Sequence, residues 1–308
     1  MSTTAQSMRV AAPPAAGPAP EVGRPAARAA SRGRRSLWAR LLRNPLTAVS
    51  LAFLVVMHVL VFAGPLGWSV SPEQTSALDA LLPPGPGHPL GTDELGRDEL
   101  SRLLHGGQVT LLVGFAAMLT AVVLGLLIGA VAGFYRGWVD TLLMRLTDTM
   151  TAPAFFLIVT AVLVLGPGPT TLVAVIGATS WMQVARVIYG ETLRFKARDF
   201  VLAAEAMGAP RSAILFRHVL PQTFPSVIVS ATLGVGFAVL TESAISYLGL
   251  GIQPPTPSWG NMLQNAQQYV WTSPTLAIYP GAVITLVVLA YNFLGDGLRD
   301  AVDPRLHP

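Results

Sequence analysis

Side chains able to do chemistry are few in this sequence and lie far apart. His88, Asp93, Asp98 and His105 supply donor types that hold metal ions, but their spacing fits no common metal-binding pattern. We therefore favour a set of ion pairs and helix caps there over a metal site. The sequence contains no cysteine, which excludes disulfides, thiolate metal ligands and a cysteine nucleophile.

Sequence motifs of catalysis are absent as well. No Gly-x-x-x-x-Gly-Lys-Ser/Thr phosphate-binding loop occurs, and the single lysine, Lys196, lies outside any such context. Neither His-Glu-x-x-His nor Gly-x-Ser-x-Gly is present. We expect a chain that is not an enzyme, that binds no cofactor or metal, and that does not hydrolyse ATP by itself.

Composition favours an integral membrane protein. Apolar residues make up 52% of the 308 residues and charged residues 12%, against about 25% charged in ordinary soluble domains. A helix needs about 20 apolar residues to cross a hydrocarbon core roughly 30 Å thick. Six such runs predict an all-α integral membrane fold with six transmembrane helices: Leu46 to Leu66, Gln108 to Gly133, Thr141 to Leu165, Thr170 to Tyr189, Phe224 to Leu248 and Leu276 to Gly295.

Small residues within these runs indicate how the helices pack. Gly125, Gly129 and Gly133 recur every fourth residue, a spacing that permits close approach of a second helix. Pro153 is expected to bend the third run. His58, alone on an apolar helix, is expected to be packed or to have a hydrogen-bonding partner.

The charges divide the chain by membrane side. We assign residues 1–45 as a disordered Arg/Ala/Pro-rich cytoplasmic tail, 46–107 as the first transmembrane helix with an outer loop, 108–295 as a five-helix core, and 296–308 as a cytoplasmic tail. With this orientation only Arg97 and Arg102 lie outside among all Lys and Arg residues. We thus expect a multi-pass cell-membrane protein with both termini cytoplasmic. A cleaved signal peptide is the less favoured alternative for the first part.

Residues 199–221 have the pattern of a short helical hairpin on the cytoplasmic side. A first helix is predicted from Asp199 to Met207, with Gly208 ending it. A second is predicted to begin near Pro210 and to stop at Pro221, with its apolar residues on one face. By spacing alone, an ordinary surface hairpin is as well favoured as a docking element.

Two outer segments flank the core. Asp98 and Arg102 are spaced i,i+4 and are expected to pair, and Thr92 or Asp93 is expected to cap the same helix. Glu242 is the single acid embedded in the fifth run. It would either line a conduit or serve as a hydrogen-bonded acid that fixes the following loop, and the second interpretation is favoured.

Three separated blocks then carry a family resemblance. Ala203-Ala204, Gly208, His218 and Leu220-Pro221 resemble the cytoplasmic coupling loop of ABC-importer permeases, although Leu202 stands where many members have Glu, with Glu205 three positions later. His88 to Arg102 and Ser246 to Gly260 resemble the C-type permease subunit of dipeptide, oligopeptide and nickel ABC importers, and Gly295 to Pro304 agrees. The resemblance spans about residues 40 to 305.

The resemblance implies type I ABC-importer permease architecture. Such a chain pairs with a second homologous permease subunit to form a pathway for peptides, di- or oligopeptides, that an extracytoplasmic solute-binding protein delivers. Two ATP-binding subunits hold ATP and magnesium, and the 199–221 loop transmits their motion. A permease for nickel, a metal chelate or another small solute is the alternative for cargo. A self-sufficient secondary transporter, a channel or an intramembrane enzyme is disfavoured because coupling acids and catalytic motifs are not evident.

The resemblance also assigns residues. The ATPase-coupling residues are Asp199, Phe200, Ala203, Ala204, Glu205, Gly208, Ala209, Arg211, His218, Leu220 and Pro221. The outer-loop motif comprises Gly91, Thr92, Asp93, Gly96, Arg97 and Asp98, and the outer gate or pathway is assigned to Glu242 and Trp259.

Overall fold

The computed structural model describes residues 41, 44–151 and 154–302, with the backbone alone for 154–157. The predictions for most of the N-terminal tail, for Pro153 and for the last six residues therefore lie outside the described residues. The described chain is helical and contains no strand. Its helices are α1 (Pro45–Gly67), α2 (Glu99–Tyr135), α3 (Gly137–Thr151), α4 (Ala154–Leu165), α5 (Pro169–Lys196), α6 (Asp199–Ala206), α7 (Arg211–Tyr247), α8 (Trp259–Ala266) and α9 (Thr275–Val302).

Five of the described helices are long and apolar enough to cross a membrane, namely α1, α2, α5, α7 and α9. The remaining predicted run, Thr141 to Leu165, falls on α3 and α4, which flank residues 152–153 and are each shorter than a bilayer crossing. The 37 residues of α2 extend over about 55 Å, so this helix projects well beyond a hydrocarbon core.

The centre of the bundle is the pair α2 and α5, against which α7 also packs. A Cβ added to Gly125 would lie 2.6 Å from that of Val184, and one added to Gly133 would lie 2.9 Å from that of Thr192. Gly129 leaves equally little room beside the backbone of Ala185. The predicted close approach along the glycine face is confirmed, and its partner is α5.

Helices α1 and α9 pack on one side of this centre. His58 in α1 lies 2.7 Å from the Leu54 carbonyl oxygen through Nδ1 and 3.2 Å from the Tyr291 hydroxyl of α9 through Nε2. The Phe115 ring of α2 meets both aromatic side chains edge on. The expectation of a partnered histidine is confirmed, and the contact joins three helices.

A lysine joins the ends of α2 and α5. The ammonium of Lys196 donates to the Phe134 carbonyl oxygen at 2.6 Å and lies 5.0 Å from the centroid of the Phe134 ring. A cation is favourable at this position because the last carbonyls of a helix lack partners within the helix and carry partial negative charge. The contact therefore anchors the end of α5 two residues before α6 begins.

Candidate functional site

The first arm of the candidate coupling loop is helix α6, and a glycine ends it. Gly208 has a φ of +81°, in the left-handed region that side chains other than Gly rarely occupy. Its N–H donates to the Glu205 carbonyl, and the Ala209 N–H donates to the Ala204 carbonyl, at 2.9 and 3.1 Å. This pair of bonds is the Schellman arrangement, which satisfies the last carbonyls of a helix. The predicted role of Gly208 as the helix terminator is confirmed.

The two faces of α6 differ in exposure. Val201 and Ala204 are buried against the core of the same chain. Phe200 and Leu202 on this helix and Met207 directly after it are 43%, 53% and 82% exposed, which is unusual for large apolar side chains so close together in sequence. The helix thus uses two small residues as its anchor and presents an apolar surface outwards.

The assigned coupling residues divide in the same way. Ala204 is buried, and three of the residues are partly exposed: Ala209, His218 and Leu220. The others are exposed: Asp199, Phe200, Ala203, Glu205, Gly208, Arg211 and Pro221. Ala204 therefore holds the loop to its own chain, whereas Ala203 lies on the outward surface. The sequence spacing does not distinguish these adjacent alanines. They differ in exposure because α6 packs with Ala204 towards the core.

The second arm of the loop is the beginning of α7, and here one expectation is wrong. The helix does not stop at Pro221 but continues from Arg211 to Tyr247. Residues Ile214–Val219 form a π-helical turn, in which the Leu220 N–H donates to the Leu215 carbonyl. A proline in a regular α-helix clashes with the carbonyl four residues earlier, and a wider π turn is a known way to accommodate such a disturbance. The loop is therefore continuous with a spanning helix.

On the opposite end of the bundle, Asp98 caps α2. Its carboxylate accepts from the Ser101 N–H at 2.7 Å, from the Trp68 indole at 2.9 Å and from His88 Nδ1 at 2.9 Å. The expectation that Thr92 or Asp93 is the cap is wrong, because both side chains serve the preceding turn instead. Thr92 accepts from the Leu82 N–H at 2.8 Å.

Asp93 is the centre of a buried ion-pair network. It accepts from Arg97 Nε at 2.6 Å and lies 3.3 Å from Arg102 Nε, while a second Arg97 nitrogen lies 3.0 Å from Glu94. The expected pairing of Arg102 with Asp98 is therefore wrong, because Asp98 is already occupied as the cap. Two further motif residues, Gly91 and Gly96, have φ values of +82° and +73° and form the turns that bring these side chains together.

The four candidate metal ligands separate in the structure. His88 pairs with Asp98, Asp93 pairs with arginines, and His105 Nδ1 lies 2.9 Å from the Ser101 carbonyl oxygen. Across residues 44–151 and 154–302, no three His or acidic side chains are grouped to hold a metal ion.

Glu242 lies in a buried hydroxyl cluster between α7 and the second outer segment. Its carboxylate accepts from Ser246 at 2.8 Å and Ser243 at 3.3 Å, and the Thr110 and Ser258 hydroxyls also hydrogen-bond to it. The Ser246 oxygen in turn accepts from the Ile252 N–H at 3.1 Å. This geometry corresponds to the favoured interpretation, an acid that fixes the following loop.

Trp259 holds the second outer segment against α2. Its indole N–H donates to the Leu103 carbonyl at 2.9 Å, and its ring lies against Gly107, where an added Cβ would come within 2.7 Å of it. Glu242 and Trp259 are both fully buried in the single chain. In this conformation neither reaches a surface, so a gate or pathway role for them stays a prediction.

Sequence reasoning missed two groups of residues with functional potential. Leu202, Met207 and Phe216 are exposed apolar residues of the loop, and for Leu202 and Met207 a signal existed in their position near the Ala-Ala motif. Glu99 is the other, because a first-turn acid normally faces solvent, whereas this one is 2% exposed.

Comparison with known proteins agrees with this architecture. Residues 125–308 match the family described as the inner membrane component of binding-protein-dependent transport systems, and residues 33–84 match the N-terminal transmembrane domain of oligopeptide transport permease C. The dipeptide transport system permease protein DppC of Alkalihalophilus pseudofirmus is 36% identical over 273 residues, which cover 88% of this chain and 90% of the relative.

Two further relatives have the same extent of similarity. The glutathione transport system permease protein GsiD of Pectobacterium atrosepticum is 37% identical, covering 88% of this chain and 91% of the relative. The oligopeptide transport system permease protein OppC of Bacillus subtilis is 34% identical, covering 88% and 90%.

Long apolar helices packed through glycine, with a helical loop at one end, indicate a multi-pass membrane protein. The chain belongs to the family of binding-protein-dependent transport system inner membrane components. It is a permease subunit of an ABC importer and not an enzyme, and importers of this kind work with ATPase and binding-protein partners.

Proposed function

We propose that this subunit pairs with a second homologous permease to form a pathway for di- or oligopeptides delivered by an extracytoplasmic binding protein. Two observations support peptides as cargo. Relatives at 34–37% identity bear the names of dipeptide, oligopeptide and glutathione permeases. The acid and histidine side chains of the outer segment are engaged with arginines and helix caps, which leaves no cluster in the described residues suited to nickel.

The observation that carries the proposal is the exposed apolar surface of the 199–221 loop. The loop exposes the large side chains of Phe200, Leu202, Met207 and Phe216, and Ala203 is exposed on the same helix as the first two. Such a patch outside the hydrophobic runs marks a protein contact more often than a free surface. We assign this contact to a cleft on an ATPase subunit, and we assign ATP with magnesium to that partner subunit.

The loop and the membrane orientation form one proposal. Placing 199–221 in the cytoplasm puts the basic ends of α5 and α7, including Arg194, Arg198 and Arg217, on the inner side. Both termini then lie in the cytoplasm, and the segments around Asp98 and Trp259 face outwards.

Ala203→Trp tests the docking surface. Ala203 is exposed, so the larger side chain fits the isolated chain and obstructs only a partner pressed against it. We expect ATPase copurification and peptide uptake to fall at least about tenfold, since a bulky obstruction at an interface core costs more than 1.4 kcal/mol. Ala80→Trp, an exposed alanine of the outer segment, is the matched control. Undiminished association in Ala203→Trp would refute the assignment.

Single-cysteine labelling tests the orientation. The native chain has no cysteine, so Ala203→Cys and Ala80→Cys each provide one reactive thiol. A membrane-impermeant maleimide added to intact cells should label position 80, and position 203 should react only in inverted vesicles. The reverse pattern would overturn the orientation and with it the docking proposal.

Cargo is tested on the cognate binding protein. The ligand that this protein retains after purification should be a peptide, identified by mass spectrometry. Retention of a nickel complex instead would replace the peptide assignment while leaving the permease assignment intact.

A further inference from the structure

A small cleft of about 10 Å³ lies at the outer end of α2, away from the 199–221 loop. Four parts of the chain line it: the outer segment, the first turns of α2, helix α8 and the start of α9. About 10–15 Å³ of such space holds one water molecule, so only a water-sized group, such as the ammonium at the end of a side chain, can enter this cleft. Its lining residues used below are Asp93, Glu94, Glu99, Arg102, Met262, Asn265 and Leu276.

Glu99 is the unusual member of this cleft. The residue is only 2% exposed, yet its carboxylate forms no hydrogen bond or ion pair with another residue in the described ranges. Enclosing a carboxylate on most sides without a protein partner is costly, and the cleft is the space that the Glu99 side chain borders. Arg102 acts on it through space, but the Arg102 guanidinium makes its ion pair with Asp93, at 3.3 Å.

When Glu99 is ionised, the acids around the cleft exceed the arginines by one. Arg97 and Arg102 are shared between Asp93 and Glu94, which accounts for two positive and two negative charges. Glu99 is the third acid and has no cation assigned to it. A single positive charge entering the cleft would neutralise the group.

The other walls indicate which cation fits. The Asn265 side-chain amide, for which no hydrogen bond is found in the described part of the chain, also lines the cleft and carries an oxygen that can accept a hydrogen bond. Met262 and Leu276 provide apolar surface, which suits an aliphatic stem. An ammonium group has three donors and no acceptor, and therefore matches a carboxylate with an amide oxygen.

We infer that this cleft receives a primary ammonium group, held by Glu99 and Asn265, while Met262 and Leu276 contact the carbon atoms next to it. The inference rests on the proposed function, since the cleft lies on the side assigned as outer, where both the binding protein and its peptide arrive. The ammonium is supplied either by a lysine of the binding protein or by the amino terminus of the peptide.

Glu99→Gln is the central variant. It preserves side-chain shape and removes the buried charge, so folding is expected to be retained. In the full complex, reconstituted in nanodiscs with its cognate binding protein, loss of one partner of a buried charge pair should weaken the interaction at least about tenfold. Glu73→Gln removes an exposed acid from the same outer segment and should change nothing.

Two arms distinguish the source of the ammonium. If the binding protein supplies it, Glu99→Gln weakens association of peptide-free binding protein with the complex. If the peptide supplies it, association is unchanged, and the variant raises the KM for free peptides but not for N-acetylated peptides. Either result supports the site.

A competition experiment needs no variant. n-Butylammonium chloride, an analogue of the lysine side chain, should inhibit the wild-type complex more than sodium chloride at equal ionic strength or neutral n-butanol. If Glu99→Gln and butylammonium are both without effect while wild-type binding and uptake are normal, the ammonium site is refuted and the permease function stands. If the wild-type complex neither binds the protein nor transports, the proposed function fails instead.

Discussion

The contact between α2 and α5 allows a sharp test, because Gly125 and Gly190 are both helical glycines with opposite surroundings. A Cβ at Gly125 would lie 2.6 Å from the Val184 Cβ and 2.9 Å from the Ala185 backbone nitrogen, whereas one at Gly190 would have nothing within 4 Å. Carbon atoms pack at about 3.5–4.0 Å. The Gly125→Ala variant must therefore move α2 and α5 apart by about 1 Å.

The magnitude follows from comparing the two variants. Both replace glycine by alanine within a helix, which by itself favours alanine by about 1 kcal/mol. Only Gly125→Ala adds overpacking, which typically costs about 1–3 kcal/mol. The difference between the unfolding free energies of the two variants isolates this steric cost, so Gly125→Ala should be about 1–3 kcal/mol less stable than Gly190→Ala.

The assay is reversible denaturation of the purified chain in detergent micelles, followed by tryptophan fluorescence. Gly190→Ala should unfold at or above the wild-type denaturant concentration, and Gly125→Ala below it. If the two variants agree within about 0.5 kcal/mol, the difference expected between unrelated surface changes, the close packing of α2 and α5 does not contribute as described.

Three further predictions concern local contacts. Gly208→Ala should destabilise the end of α6 by about 1–2 kcal/mol, because its φ is positive, and hydrogen exchange of the loop amides should then be faster; unchanged exchange would contradict the Schellman assignment. Lys196→Met keeps the aliphatic stem and removes the hydrogen bond to the Phe134 carbonyl, so the unfolding free energy should fall by about 1–3 kcal/mol, and a wild-type value would argue against the anchor. Asp148→Asn breaks the exposed Arg186–Asp148 pair and should cost less than about 1 kcal/mol in the same assay; a larger loss would mean that this pair is not the surface contact described.

Local rules predicted much of the fold. The glycine repeat at 125, 129 and 133 identifies a packing face because only small side chains permit such an approach, and Gly208 identifies a helix end because of its backbone freedom. These signals depend on residues near in sequence, so they need no knowledge of the partner helix.

Features that depend on tertiary packing were not predictable in the same way. Helix α7 continues through Pro221 because the π-helical turn before it accommodates the proline. The buried side chains of Ile214, Leu215 and Val219 stabilise this turn. Asp98 rather than Asp93 caps α2 because two distant side chains, Trp68 and His88, also converge on it.

The segments that connect α6, within the 199–221 loop, to the long helices are short. Two residues, 197–198, separate α5 from α6, four, 207–210, separate α6 from α7, and Lys196 fastens the start of this path to the end of α2. No long connection is present to absorb a movement of α6. We therefore expect α2, α5 and α7 to move with it. If the 199–221 loop docks on an ATPase subunit as proposed, these short connections, more than the shape of the loop surface, set how much of its movement reaches the other side of the membrane.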